Sequence, residues 1–229
     1  MSLARRRPRL FFSFRSPYSW LALDRIWAEA PDVASAAELI PYWDPDPATE
    51  TAVRSRGAGV HYVQMSKPKH LYLLQDTKRL AQRRGLAMAW PIDIDPWWEV
   101  PHLAWLAAGS DGSRRALYLA LTEARWGRGE NICDPEVLGK AAAAAGLDGD
   151  SLAAATEDPG VRAGGVDCLV RAYEDDVFGV PYFRVGRHRF WGYDRVDDFV
   201  DAVRGTAPTP VPVTAAAAGY DSDTAGGCG

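Results

Sequence analysis

The chain has 229 residues, of which 47% are hydrophobic, and a formal net charge of −4. This size supports a full hydrophobic core in one large domain, or in one domain with an insertion, and the acidic balance without a basic stripe argues against a nucleic-acid partner. The first apolar run, residues 10–12, is too short for a signal sequence or a membrane span, so we expect a cytoplasmic protein that does not contact a membrane.

The cysteines and histidines do not favour a metal site or a disulfide framework. The three cysteines, Cys133, Cys168 and Cys228, form no CxxC pair, and their number is odd. The four histidines are scattered through the chain without the spacing of metal ligands. We therefore expect no metal centre and ordinary thiols rather than a disulfide scaffold.

The first predicted elements are a strand over residues 9–14, a helix over 18–30 and a second strand over 37–43. Their lengths suit a strand–helix–strand unit with a parallel crossover. The next segment, 44–59, contains several prolines and glycines and is predicted to be a loop.

The middle of the chain is predicted to be mainly helical. Apolar residues recur at helical spacing there, and glycine or proline stands near many of the segment ends. A short extended piece is expected at residues 87–90. The predicted helices cover residues 70–84, 98–108, 113–128, 135–145, 149–156 and 159–178.

The last predicted elements are two strands, 182–185 and 189–191, joined by a turn, and a helix over 196–204. Together with the first two strands they could form a four-stranded sheet, with the helical block as an insertion. Residues 205–229 are rich in Pro, Ala, Gly and Thr and lack periodicity, so we expect a disordered tail.

The start of the first helix carries two hydroxyl groups, in the stretch Ser16-Pro17-Tyr18-Ser19. Ser16 is a good helix N-cap and Pro17 a good first helical residue. A helix start needs one such cap, so capping accounts for Ser16 but leaves Ser19 unexplained.

The element order resembles a thioredoxin-like fold with a helical insertion, as in the DsbA-like family. In that family a CxxC motif stands at the start of the first helix, where this chain has Ser16 and Ser19. The stretch FSFRSPYSWLAL is most similar to 2-hydroxychromene-2-carboxylate isomerases and kappa-class glutathione transferases. The resemblance implies a thioredoxin-like domain formed by residues 9–43 and 178–204, with residues 44–177 as the insertion.

Three further motifs carry the resemblance and imply a binding site for glutathione or another small thiol. FGVPYFRV resembles the family's cis-proline loop, with Val180 and Pro181 at the cis bond and the Val180 backbone pairing with the cofactor. In FWGYDR, Asp194 matches the acidic residue that holds the γ-glutamyl end of glutathione in the family. In MSKPKHLYLLQDTKRLA, Lys67 stands at the start of a lysine-bearing helix and could hold a carboxylate. Asp44 follows the second strand where these relatives carry an asparagine that contacts glutathione.

The implied catalytic group is the Ser16 hydroxyl, which would donate a hydrogen bond to a cofactor thiolate at the positive end of the helix. Ser19 is then structural. The candidate substrate contacts are Tyr18, Trp97 and Trp98, which would suit a flat aromatic ligand. The alternative is that these tryptophans belong to the core, since aromatic residues dominate cores.

The predicted function is a thiol-dependent isomerase acting on a small aromatic or polyketide-like molecule. Three alternatives stay open: conjugation of the glutathione transferase type, a cofactor-free isomerase that uses Asp44 or His61, and a redox-inactive DsbA relative that binds peptides. The expected partner is a small-molecule substrate, and a homodimer is a possible assembly.

Overall fold

The computed structural model describes residues 7–61 and 65–207, and these contain one four-stranded sheet. The strand order is β2-β1-β3-β4, where β1 is parallel to β2 and antiparallel to β3, and β3 is antiparallel to β4. This confirms the predicted thioredoxin-like sheet. The strands are β1 (Arg9–Phe12), β2 (Glu38–Pro41), β3 (Tyr182–Val185) and β4 (His188–Trp191).

The described residues also form ten α-helices and three shorter helical turns. The short turns are a π-helical turn at Glu123–Gly127 and 3-10 turns at Ala155–Glu157 and Tyr193–Arg195. The α-helices are α1 (Pro17–Glu29), α2 (Pro31–Ala36), α3 (Pro47–Ser55), α4 (Lys67–Arg83), α5 (Glu99–Ala107), α6 (Asp111–Thr122), α7 (Pro135–Ala144), α8 (Gly149–Ala153), α9 (Pro159–Glu174) and α10 (Val196–Arg204). No helix of the described ranges is long and apolar enough to cross a membrane.

The loop prediction for residues 44–59 is wrong over α3, and α2 also escaped the sequence reasoning. Asp46 caps α3 by accepting a hydrogen bond from the Thr49 backbone N–H at 2.8 Å, and Pro47 occupies the first helical position. An aspartate followed by proline is a helix-start signal. The number of prolines and glycines in the segment outweighed that signal in the prediction.

Several other observed helix boundaries differ from the predicted ones by a few residues. Helix α4 begins at Lys67, three residues earlier than predicted, because Ser66 caps it. The helix predicted over 113–128 is α6 followed by the π-helical turn. Residues 205–207 complete the end of α10, and the rest of the predicted disordered tail, 208–229, lies outside the described residues.

The sheet and the helical insertion share one hydrophobic core. Phe12 of β1 is fully buried, and its ring meets those of Trp105 and Tyr118 edge-on at 5.1 and 5.4 Å. Such aromatic pairs contribute about 0.5–1.5 kcal/mol each beyond the burial of their area. The insertion is therefore packed directly on the strand that leads into the SPYS motif.

A close contact between α9 and its neighbours depends on one glycine. A Cβ at Gly165 would lie 2.7 Å from Leu103 Cδ2 and 3.1 Å from Trp43 Cη2. At the preceding Gly164, a Cβ would meet nothing within 4 Å. Of these two adjacent glycines, only Gly165 is required by packing.

We expect Gly165→Ala to lower the free energy of unfolding by about 1–3 kcal/mol, the usual cost of overpacking a core. Gly164→Ala is the matched control in the same helix, and it should raise stability by up to about 1 kcal/mol because alanine has the higher helix propensity. Urea denaturation of both variants checks this. Equal effects of the two substitutions would contradict the packing described for α9.

Candidate active site

The Ser16 side chain joins the start of α1 to the loop before β3. Its oxygen accepts a hydrogen bond from the Ser19 backbone N–H at 3.1 Å, which makes Ser16 the helix N-cap. Its hydroxyl donates to the Val180 carbonyl oxygen at 3.2 Å. Ser16 is half-buried, so it is not part of the core, and the space between it and the Val180–Pro181 loop is called the cleft below. The cap and the contact with the loop are thus made by one hydroxyl.

The loop opposite Ser16 has the predicted cis bond between Val180 and Pro181. The Gly192 backbone N–H donates to the Pro181 carbonyl at 3.0 Å, which brings the segment after β4 next to this loop. Asp194 lies in that segment, is exposed, and pairs with Arg195 at 3.3 Å. The fold therefore brings Ser16, Val180, Pro181 and the Asp194 segment to one side of the sheet.

An exposed aromatic pair lies beside the cis-proline loop, and the sequence reasoning missed it. The rings of Phe178 and Trp191 are 5.0 Å apart and are 49% and 42% exposed. A Cβ at Gly179 would lie 2.7 Å from Trp191 Nε1, so the indole covers this glycine closely. The available signal was the presence of aromatic residues in both FGVP and FWGYDR.

Ser19 has a structural role in this geometry. It is fully buried, and its hydroxyl oxygen accepts a hydrogen bond from the Ser13 backbone N–H at 3.3 Å. The second hydroxyl of the SPYS motif therefore faces inward and stabilises the β1–α1 loop. It does not open onto the same cleft as Ser16.

Tyr18 connects the helix start to α4. Its hydroxyl donates to Asp76 Oδ2 at 2.7 Å, and Asp76 Oδ1 pairs with Arg79 at 3.0 Å. Burial and this acidic partner raise the pKa of Tyr18, which keeps the phenol protonated. Lys67 is exposed at the first position of α4, about 13 Å along the helix from Asp76 at 1.5 Å per residue. The roles predicted for Tyr18 in substrate binding and for Lys67 in cofactor binding remain predictions.

The tryptophans before α5 have different surroundings. Trp97 is 41% exposed and its indole N–H donates to Asp46 Oδ2 at 3.1 Å. Trp98 is only 3% exposed, and the guanidinium of Arg125 lies 4.8 Å from its ring centre. The ring of Trp98 belongs to the core, as the alternative interpretation expected, which leaves little of it to contact a substrate.

A buried arginine beside Trp98 belongs to the π-helical turn. Arg125 is 2% exposed and makes two hydrogen bonds of 2.8 Å to the carboxylate of Asp93. The guanidinium of Arg15, next to Ser16 in the chain, lies 6.0 Å from the centre of the same Trp98 ring. Arg15 and Arg125 thus both contact the ring of Trp98, which joins the insertion to the residue before Ser16.

His102 of α5 was not singled out by the sequence, yet it contacts the loop that leads to Ser16. Its Nδ1 lies 2.7 Å from the Trp98 carbonyl oxygen, and its Nε2 lies 3.2 Å from both the Phe14 backbone nitrogen and the Ser13 hydroxyl. The side chain is fully buried, and its ring stacks on Trp43 at 5.0 Å. Burial, assisted by the charge of Arg125, lowers the pKa of His102 to about 3.

The remaining candidate groups differ from one another in burial and in contacts. Asp44 and His61 are exposed, and the His61 ring stacks on Tyr173 at 4.9 Å. Cys133 and Cys168 are buried, and burial raises the pKa of each thiol to about 12. Within the described ranges, no group of three or more His, Cys, Asp or Glu side chains could hold a metal ion.

A separate concavity of about 640 Å³ lies between α7 and α8. Its lining includes Lys140, which is paired with Glu136 at 2.6 Å. None of the residues that line it belongs to the cleft around Ser16. This surface therefore adds nothing to the candidate site.

The fold and the site define a DsbA-type thioredoxin fold in which serines replace the redox cysteine pair. The family model of the DSBA-like thioredoxin domain matches residues 9–204, and the chain belongs to this family. A curated relative, the 2-hydroxychromene-2-carboxylate isomerase of Sphingobium xenophagum, is 26% identical over 189 residues, covering 82% of this chain and 92% of that protein.

Two solved structures share the fold. A 2-hydroxychromene-2-carboxylate isomerase superposes with a TM-score of 0.64 at 22% identity, over 86% of this chain and 94% of that one. The cytosolic disulfide reductase DsbM from Pseudomonas aeruginosa, solved with GSH, has a TM-score of 0.55 at 18% identity, over 86% and 97% of the two chains. Proteins with this fold thus include both an isomerase and a disulfide reductase by name.

The buried imidazole of His102 makes stability depend on pH. Its pKa is about 3 in the folded protein and near 6.5 in an unfolded chain, so only the unfolded state takes up this proton between those values. We expect this proton to lower the free energy of unfolding by up to about 1.36 kcal/mol per pH unit as the pH falls below 6.5. Urea denaturation between pH 7 and 4 should show a shallower decline for His102→Gln.

Leu138→Ala is the control, because it removes fully buried apolar atoms of α7 without changing a titratable group. It should lower stability at every pH while keeping the wild-type slope. If His102→Gln also keeps the wild-type slope, the imidazole does not stay neutral in the folded protein.

Proposed function

We propose that this protein is a thiol-dependent isomerase of a small aromatic substrate. The observation that carries the proposal is the Ser16 hydroxyl at the start of α1, 3.2 Å from the Val180 carbonyl oxygen. Ser16 places a hydroxyl donor at the position where oxidoreductases of this fold have a reactive cysteine. A serine cannot form a disulfide, so the reactive sulfur has to come from a cofactor.

The start of α1 fits a thiolate. Pro17 has no N–H, and the N–H of Ser19 is taken by Ser16. The N–H of Tyr18 has no acceptor among the residues that the structure describes. A free N–H, a hydroxyl donor and the positive end of a 13-residue helix are the groups that stabilise a sulfur anion. We infer that the cofactor is glutathione or a related small thiol, and the structural neighbour DsbM, solved with GSH, supports this inference.

The bound thiol supplies a nucleophilic sulfur that adds to a conjugated double bond and leaves again after rotation about that bond. The chain's own residues orient and stabilise it. With the thiol bound, Ser16 would turn its hydroxyl proton from the Val180 carbonyl toward the sulfur, and the Tyr18 N–H would donate a second hydrogen bond. The backbone of Val180 and the carboxylate of Asp194 are proposed to hold the peptide-like part of the cofactor.

The exposed rings of Phe178 and Trp191 offer an aromatic surface next to this sulfur position. They suit the flat substrate better than Trp98 does, since Trp98 is almost fully buried. The curated relative acts on 2-hydroxychromene-2-carboxylate by its name, so this compound is the first substrate to test. Conjugation to glutathione is the second candidate, because the same activated sulfur would serve it.

The direct test is isomerisation of 2-hydroxychromene-2-carboxylate with and without added glutathione, together with calorimetric titration of glutathione and other small thiols. The proposal expects binding of at least one thiol and turnover only in its presence. Turnover without any thiol would favour the cofactor-free alternative. Binding of a peptide but of no thiol would favour the redox-inactive peptide-binding alternative.

We expect Ser16→Ala to reduce kcat by about 10- to 150-fold, since losing a hydrogen bond to a charged group costs about 1.5–3 kcal/mol. The matched control is Ser110→Ala, because Ser110 caps α6 through the same type of bond, from the Ser113 N–H at 3.1 Å, in a different helix. Each variant loses a cap worth about 1 kcal/mol of stability. Steady-state rates and melting temperatures of the pair separate catalysis from capping.

Only Ser16→Ala should lose activity, while both variants should melt at similarly lowered temperatures. Wild-type turnover in Ser16→Ala would show that the hydroxyl is a cap alone. An equal loss of turnover in Ser110→Ala would show that the activity follows stability and not the sulfur contact.

A further inference from the structure

The β1–α1 loop, residues 13–16, is hydrogen-bonded to the insertion by the side chain of His102. Nε2 of His102 lies 3.2 Å from the Phe14 backbone nitrogen and 3.2 Å from the Ser13 hydroxyl. On the other side of the ring, Nδ1 lies 2.7 Å from the Trp98 carbonyl oxygen. A carbonyl oxygen only accepts hydrogen bonds, so Nδ1 carries the proton and Nε2 is the acceptor.

The hydrogen bonds continue from this ring to Ser16. The Ser13 hydroxyl, which donates to His102, accepts from the Arg15 backbone N–H at 3.2 Å. The Ser13 carbonyl accepts from the Ser16 N–H at 3.1 Å. One hydrogen-bonded route from α5 to the proposed catalytic serine therefore passes through Ser13, and the Phe14 backbone is bonded to the same imidazole.

The surroundings of the imidazole keep it in this one state. It is fully buried, stacked on Trp43 at 5.0 Å and edge-on to Phe14 at 5.3 Å. Because burial keeps the ring neutral at physiological pH, Nε2 always has a lone pair for the Phe14 N–H. A protonated ring would present a second N–H to that donor and would push the loop away.

We propose that His102 is a positioning residue that sets the place of Ser16 relative to the Val180 carbonyl by bonding the segment Ser13–Phe14 to α5. The part played in catalysis rests on the proposed function. A misplacement of about 1 Å in an active site costs about 100-fold in rate, so a rigid support for this loop has a kinetic consequence.

His102→Leu and His102→Gln separate this role from simple packing. Leucine fills the site but leaves the Phe14 N–H and the Ser13 hydroxyl without an acceptor, whereas the amide oxygen of glutamine can replace Nε2. We expect kcat for isomerisation to fall about 10- to 100-fold in His102→Leu with little change in the KM for the substrate. His102→Gln should stay within about 3-fold of the wild type. Leu138→Ala is the control for lost stability and should keep its kcat.

Hydrogen exchange gives a readout that does not depend on activity. In His102→Leu, the amides of residues 13–16 should exchange about 10-fold faster or more than in the wild type, while those of β3 and α9 keep their rates. His102→Gln should preserve the protection of residues 13–16. If His102→Leu does not fold, Ser13→Ala replaces it, because this variant removes the hydroxyl between His102 and Arg15 and should loosen the same amides.

The outcomes are distinct for the two proposals. Unchanged exchange of residues 13–16 and unchanged kcat in His102→Leu or Ser13→Ala would overturn the positioning role. A pH–rate profile that loses one of its limbs in His102→Gln would also overturn it, since that result makes His102 an acid or base. If the wild type binds no thiol and isomerises nothing, the proposed function fails, and the exchange rates still decide whether His102 holds the loop.

Discussion

The contact between the start of α1 and the loop before β3 is the constraint on which the site depends. These two segments are more than 160 residues apart in the chain, and the Ser16 hydroxyl bridges them at 3.2 Å from the Val180 carbonyl oxygen. The bridge is possible because β1 and β3 are neighbours in the sheet. Strand β1 leads into the start of α1, and β3 follows directly after the loop that contains Val180. The sheet thus places a helix start and a backbone carbonyl on the two sides of one cleft.

The replacement of cysteine by serine changes what this geometry can do. In a disulfide oxidoreductase of this fold the helix start stabilises the protein's own thiolate. Here neither Ser16 nor Ser19 can form a disulfide, and the two described cysteines are buried with raised pKa values. The same helix start keeps its hydrogen-bond donors and its positive potential, which suit a sulfur anion brought in by a cofactor. The helix start thus keeps its positive end, while residues 16 and 19 supply no thiol pair for disulfide exchange.

The helical insertion packs against the sheet domain and contacts residues on both sides of Ser16. Aromatic contacts of Phe12 with Trp105 and Tyr118 merge the two parts into one core, and His102 adds polar contacts to the loop before Ser16. Tyr18 extends a further bond to Asp76 of α4. Because the insertion contacts Phe14 and Tyr18 on either side of Ser16, its packing bears on the position of this serine.

The sequence by itself determined the order of most elements, the sheet and the helix start at Ser16, since hydrophobic periodicity, proline and capping residues are local signals. The cis bond at Pro181 was predicted from a resemblance to a family, and the structure contains it. What only the tertiary structure decided depends on contacts between distant segments. It separated the exposed Trp97 from the buried Trp98, placed Phe178 and Trp191 beside the cleft, and put His102 against Phe14. An isolated histidine or tryptophan has no periodicity that reveals its partner, because its role is set by what long-range packing brings next to it.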